Sequence, residues 1–171
     1  ATLTAAYATP VESVPHFGMR GFHQHTQHPI VWSDYLLTAD EAHRAPITEY
    51  FRYLLRNRQN AFDWHMLATV DMDSWPDHAK WIIAEGHRHG IQVGMFLGFA
   101  DKQQNAYQLV TDLHLGEPEA DRVIAQKAQV TAGLDVFADF GFDFLGFQFG
   151  TTEMTSLSDA ETRGLCEATE H

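Results

Sequence analysis

Three closely spaced histidines offer the richest chemistry in this chain, in the pattern His23-x-His25-x-x-His28. Residues at i and i+2 of a strand point to the same face, so His23 and His25 can share one divalent metal ion such as zinc. A complete site needs further ligands, for which the candidates are His65, Asp71 and Glu153. The alternative is that the three histidines are polar rim residues that hydrogen-bond a ligand or their neighbours.

A carboxylic acid, Glu153, follows the last apolar run of the chain. A carboxyl group in that place can be positioned against a leaving group, and partial burial would raise its pKa into the range of a general acid. Glycosidases use such an acid. The alternative is a solvated glutamate that caps a helix or lies in a loop.

The segment Asp63-Trp64-His65 alternates its faces if it is extended, so that Asp63 and His65 share one face and Trp64 takes the other. An inward-pointing His65 would reach a cavity. Aromatic rings stack on the apolar faces of sugars, and Trp32 and Trp75 are the candidate platforms. Ordinary packing is the alternative for both tryptophans.

Four short apolar runs position these residues. The predicted strands are 17–25, 60–67, 91–99 and 142–150. Helical patterns follow at 47–58, from Asp73 or Ser74 to Gly90, and from Pro118 towards Phe140, whereas 32–43 is predicted as a polar loop and 101–114 as a polar excursion with helical character. This order predicts an α/β fold of the form (βα)4 with a parallel sheet, whose site lies in the loops after the strand carboxyl ends.

Composition narrows the function classes. The net charge is −12, from 11 Lys and Arg against 23 Asp and Glu, which argues against nucleic acid or an anionic membrane as a partner and favours a neutral ligand such as a carbohydrate. Cys166 is the single cysteine, so no internal disulfide can form. No apolar stretch approaches the roughly 20 residues that span a bilayer. We expect a soluble protein, with a secreted or periplasmic location left open.

The length predicts part of a larger architecture. A closed (β/α)8 barrel takes about 250 residues, and four βα units make half of one. The chain has 171 residues, begins at Ala1 without Met and stops inside a predicted helix. We therefore expect residues 1–15 to be a lead-in arm and residues 16–171 to be the N-terminal half of such a barrel, cut from a longer chain. Because a half-barrel exposes two sheet edges and an uncovered interior, we expect self-association or instability when it is produced alone.

Four short motifs follow one another along this series. They are Pro15-His16-Phe17 leading to Arg20-Gly21, Asn60-x-x-x-Trp64-His65, His89-Gly90-Ile91-Gln92-Val93 and Gly150-Thr151-Thr152-Glu153. In this order they resemble the catalytic barrel of glycoside hydrolase family 20, the β-hexosaminidases. The resemblance covers most of residues 15–153.

The resemblance implies a glycosidase in which Glu153 is the general acid. The residues that would hold the sugar are Arg20, His25, His28, Trp32, His65, Asp71 and Thr152. Thr152 stands where the family carries an aspartate that orients the substrate acetamido group, and His25 and His28 replace a strand-one aspartate and arginine. A threonine has no charge to stabilise an oxazolinium-like intermediate, so a different glycosidase branch is expected.

Three hypotheses follow. The first is the glycosidase-like barrel just described, without a cofactor. The second is a metal-dependent hydrolase of the amidohydrolase type, in which His23 and His25 hold a divalent ion and His65 is an optional third ligand. Such barrels begin with the same histidine spacing. The third is a module that binds carbohydrate or a partner without turnover.

Overall fold

The computed structural model describes residues 14–100 and 103–149. Within these ranges there are four strands and four α-helices, with two helices between the first and second strands and one between each later pair. The strands are β1 (Gly21–Gln24), β2 (Ala61–His65), β3 (Gln92–Gly98) and β4 (Phe144–Gln148), and the helices are α1 (Val31–Leu37), α2 (Arg44–Arg56), α3 (Trp75–Arg88) and α4 (Glu119–Asp135). Short 3-10 turns at Glu41–His43 and Gln103–Asn105 lie in the connections.

All three strand pairings are parallel, and the strands lie in the order β1-β2-β3-β4. A crossover between neighbouring parallel strands is right-handed almost without exception, so successive crossovers in this order place their helices on one face of the sheet. The predicted (βα)4 fold is thereby confirmed. That it forms half of a closed barrel stays a prediction.

The helix-covered face of the sheet carries the core. Phe62 and Trp64 of β2 and Val93, Met95 and Leu97 of β3 are at most 1% exposed. They pack in one cluster with apolar residues of α2 and α3, namely Ile47, Phe51, Leu54, Ala79, Ile82 and Ile83. The amphipathic patterns that predicted these two helices thus match the sides that they bury.

The opposite face of the sheet carries polar residues and a complementary set of large and small ones. Gly94 of β3 pairs with Phe144 of β4, and Phe96 pairs with Gly146. A Cβ atom added at either glycine would overlap the ring of the paired phenylalanine. Each phenylalanine ring therefore packs over the glycine of the neighbouring strand, and the two rings fill the space that the glycines leave.

Helix α1 corrects the prediction of a polar loop over residues 32–43. It has seven residues, and its N-cap is Ile30, which offers no capping side chain. Its last carbonyls instead accept hydrogen bonds from α3: Trp75 Nε1 donates to the Leu36 oxygen at 2.8 Å and His78 Nε2 to the Tyr35 oxygen at 2.9 Å. These contacts join residues about 40 positions apart, so the local pattern does not contain them.

Other differences concern boundaries. Strand β1 starts at Gly21 rather than at Phe17, whose side chain is exposed, and α4 ends at Asp135, before Phe140. In the predicted excursion 101–114, the described residues contain a 3-10 turn at Gln103–Asn105 and no α-helix. Strands β2, β3 and β4 lie inside their predicted ranges.

Replacing Gly94 by alanine should lower the free energy of unfolding by about 1 to 3 kcal/mol. The new methyl group would overlap the Phe144 ring, which would have to move. Urea unfolding followed by far-UV circular dichroism measures the change. Gly116→Ala is the matched control, since nothing lies within 4 Å of a Cβ atom there. Equal stability of the two variants would contradict the proposed packing.

Candidate functional site

Neighbouring strands bring two of the predicted histidines together on the sheet face opposite the core. His23 of β1 is in register with Asp63 of β2, and His65 lies two residues further along β2 on the same side. His25 lies one residue past the end of β1. Because parallel strands present their carboxyl ends at one edge, the three histidines meet at the edge where sites form in such sheets.

Hydrogen bonds link four side chains across this face. His23 Nδ1 contacts Asp63 Oδ1, His23 Nε2 lies 2.8 Å from His65 Nδ1, and His65 Nε2 lies 3.2 Å from Gln148 Oε1 on β4. The Gln148 side chain reaches His65 past β3, where its register partner is Gly98. A glycine in that row leaves room for the contact.

The acceptors at the two ends of this chain determine the state of the histidine nitrogens. Both a carboxylate oxygen and an amide oxygen only accept, so His23 Nδ1 and His65 Nε2 each carry a proton and donate it. The facing nitrogens, His23 Nε2 and His65 Nδ1, then each carry a lone pair and lie 2.8 Å apart. Two lone pairs repel each other unless a proton or a metal ion lies between them. Either one extra proton or a metal ion satisfies that pair.

His25 completes a cluster of three. One ring nitrogen from each of His23, His25 and His65 lies within 4.8 Å of the other two. The His25 ring is centred 5.0 Å from that of His65 and 4.8 Å from that of His28. A tetrahedral zinc ion holds nitrogen ligands about 3.3 Å apart, so binding one would require the His23 and His65 nitrogens to move slightly apart and the His25 nitrogen to approach them.

Burial separates the roles of the histidines. His65 is 6% exposed, His25 is half-buried and His28 is exposed. Desolvation, with the nearby His23 and His25 rings, lowers the pKa of His65 from 6.5 to about 4. His65 is therefore an uncharged imidazole, with one ring N–H, at neutral pH, and this is the form that binds metal ions.

Arg20 lies elsewhere. It precedes β1, at the opposite end of the sheet from the histidines, and its Nε donates to the Arg58 carbonyl at 2.9 Å. Its Nη1 donates to the Phe17 and Gly18 carbonyls. The structure thus places the predicted sugar-binding arginine in a backbone-anchoring position and corrects its assignment to the site.

Three further residues that were predicted to bind the ligand, Asp71, Trp32 and Trp75, also lie away from the histidine cluster. Asp71 is exposed and accepts hydrogen bonds from Ser74 Oγ and the Asp73 amide, which lower its pKa and form the turn into α3. Trp32 packs against Tyr50, which accepts a hydrogen bond from Gln24 on the helix side of β1. Trp75 is fully buried, so the prediction that it forms a platform is wrong.

Glu153 and Thr152 lie outside the described residues, and the general acid stays a prediction. Sequence reasoning placed Asp63 on the face of His65 but gave it no role, and it missed Gln148. The alternation of Phe144, Gly146 and Gln148 on one face of β4 was the available signal for the glutamine.

No protein-family model matches the chain, and no curated protein matches it significantly. The resemblance to β-hexosaminidases therefore stays a prediction that no relative supports. In residues 14–100 and 103–149, every helix is too short or too polar to cross a membrane.

In metal-free buffer, the protein should lose about 3 kcal/mol of stability through His65 between pH 6.5 and about 4. The unfolded chain binds this proton near pH 6.5 and the folded chain only near 4, so the stabilisation is complete above 6.5 and disappears as the pH falls through that window. Urea unfolding at stepped pH measures the slope.

His65→Gln should flatten that slope in part. Some slope should remain, because burial also lowers the pKa of His78. An unchanged slope in His65→Gln would contradict the assignment of the buried, neutral imidazole.

Proposed function

We propose that this chain binds one divalent metal ion, zinc by preference, through His23, His25 and His65, and uses it to hydrolyse an ester or amide. The observation that carries the proposal is the pair of bare nitrogens at 2.8 Å, His23 Nε2 and His65 Nδ1, with His25 beside them. His65 is buried, and a buried imidazole nitrogen whose lone pair meets no donor is costly unless a proton or a metal ion satisfies it.

The donor set favours zinc. Three neutral imidazoles with an open fourth position form the ligand set of a catalytic zinc ion, whereas magnesium and calcium prefer oxygen. The His23 side chain is 33% exposed, so solvent can reach the fourth position. A zinc-bound water has its pKa lowered towards about 7, which makes hydroxide available near neutral pH.

Asp63 and Gln148 support this assignment from behind the ligands. Histidines that bind metals commonly donate their second ring N–H to a carboxylate or carbonyl oxygen, which fixes the tautomer and raises the basicity of the ligand. Asp63 does this for His23 and Gln148 for His65. The two ligands thus have the orienting contacts before any metal arrives.

The purified protein, dialysed against zinc and then buffer, should retain one zinc ion per chain by inductively coupled plasma mass spectrometry. His65→Ala should lower the affinity at least 100-fold, because it removes a ligand and opens the site to water. His16→Ala is the matched control, since His16 precedes β1 and lies outside the cluster. Loss of binding in neither variant, or no retained zinc, would overturn the metal site.

Asp63→Asn should weaken zinc binding about 10-fold to 100-fold, because the variant keeps the shape but loses the charge behind His23. Asp143→Asn is a close control: Asp143 Oδ2 also pairs with a histidine, His87 Nε2, at 2.8 Å, but outside the cluster. Competition titrations with a zinc-sensitive dye measure both affinities. Equal losses in the two variants would show a general effect of charge rather than support of a ligand.

Hydrolysis should follow the metal. The zinc-loaded protein should cleave 4-nitrophenyl esters above the rate of free zinc, lose this activity to a chelator and regain it on reloading. The glycosidase hypothesis predicts the reverse pattern, in which cleavage of 4-nitrophenyl glycosides survives the chelator and is lost in Glu153→Gln.

A further inference from the structure

A second feature of the same edge is an open cleft of about 510 Å³ between α1 and the loop that follows β2. This volume lies within the 300 to 1,000 Å³ typical of small-molecule sites. Most of its lining is apolar, from Pro29, Ile30, Val31, Leu37, Leu67 and Val70. Ile30 is 40% exposed and Val31 is 57% exposed, so apolar surface in the cleft faces solvent.

The cleft begins where the histidine cluster ends. Pro29 directly follows His28, whose ring is centred 4.8 Å from that of His25. Leu67 lies two residues after His65, which limits their Cα separation to about 7 Å. Residues of the cleft wall are thus immediate chain neighbours of His28 and near neighbours of His65, which places the cleft beside the cluster.

Side-chain hydrogen bonds hold the cleft and the cluster in one framework. Thr26 Oγ donates to the His65 carbonyl, which ties the end of β1 to the end of β2. Ser33 Oγ, in the cleft wall, lies within hydrogen-bond distance of the His28 carbonyl, at 2.5 Å, and of the Thr26 carbonyl, at 3.1 Å, and its single proton is donated between them. The position of the cleft relative to the ligands is thus set by short-range contacts rather than by a long free loop.

In the described part of the cleft wall, the one charged side chain, Asp34, has a histidine partner. Asp34 lines the cleft, and its Oδ2 lies 3.4 Å from His43 Nε2, a buried histidine. Among the residues that the structure describes, the cleft lining contains neither lysine nor arginine. This chemistry suits an uncharged apolar group.

We propose that the cleft binds the apolar acyl group of the substrate, an ester or amide of an unbranched carboxylic acid whose carboxyl carbon lies at the metal. This inference rests on the proposed hydrolase function and gives it a substrate class. The polar end of the substrate then meets the histidines, and the apolar end covers Ile30 and Leu67.

The test measures binding, so that it does not depend on turnover. Zinc-loaded protein is titrated calorimetrically with acetate, butyrate, hexanoate and octanoate at constant pH. The carboxylate occupies the open metal position in each case, and only the chain varies. We expect the dissociation constant to fall about threefold to fourfold per added methylene until the cleft is filled.

Ile30→Ser tests the location. Serine is favoured at the N-cap position that Ile30 occupies, so the variant should fold. It should weaken octanoate binding about fivefold and leave zinc and acetate binding unchanged. Ile124→Ser, at an exposed position of α4 away from the cleft, is the matched control and should change none of them.

The outcomes separate the two proposals. A zinc-loaded protein whose affinity is the same for acetate and octanoate overturns the cleft proposal and leaves the metal site standing, as does equal behaviour of the two serine variants. A protein that retains no zinc overturns the proposed function, and the assignment of the acyl group falls with it.

Discussion

The register between β1 and β2 is the constraint on which the candidate site depends. Side chains alternate along a strand, so a slip of one residue would place Phe22 or Gln24 beside Asp63 and turn His23 to the core side. Strand β1 has four residues and lies at a sheet edge, which gives it few ladder bonds of its own. Side chains pin both of its ends: Asn60 Oδ1 accepts from the Arg20 amide at 2.8 Å, and Thr26 Oγ donates to the His65 carbonyl.

One face of the sheet carries the hydrophobic core, and the other carries the polar side chains of the candidate site. The helix side buries Trp64, Met95 and Leu97 completely. The other side places histidines, a carboxylate and an amide beside two phenylalanines that lie over glycines. Because the polar residues contribute little to the core, they can be arranged for ligand binding. Asp63 and Gln148 accept hydrogen bonds from the outer nitrogens of His23 and His65, and the two facing nitrogens are left for a proton or a metal ion.

The sequence predicted the elements that depend on short-range patterns of apolar and polar residues. The apolar runs located the four strands, and the helical patterns located α2 and α3, because periodicity acts over a few residues. The spacing of His23 and His25 and the alternation at His65 indicated the cluster for the same reason. Helix α1, the contact between His65 and Gln148, and the anchoring position of Arg20 depend on residues 38 to 83 positions apart, which no local pattern contains.

The anchoring role of Arg20 and Asn60 also bears on the resemblance to a sugar-cleaving barrel. Both residues belong to the motifs that carried it, yet Arg20 N, Asn60 Oδ1, Asn60 Nδ2 and the Gly18 carbonyl form contacts at the amino-terminal end of the sheet. Residues at that end stabilise the strands, whereas residues at the carboxyl end act on a ligand. In this chain, Arg20 and Asn60 therefore join two parallel strands and lie away from the candidate site. The three histidines on which the proposed function rests lie at the other end of the sheet.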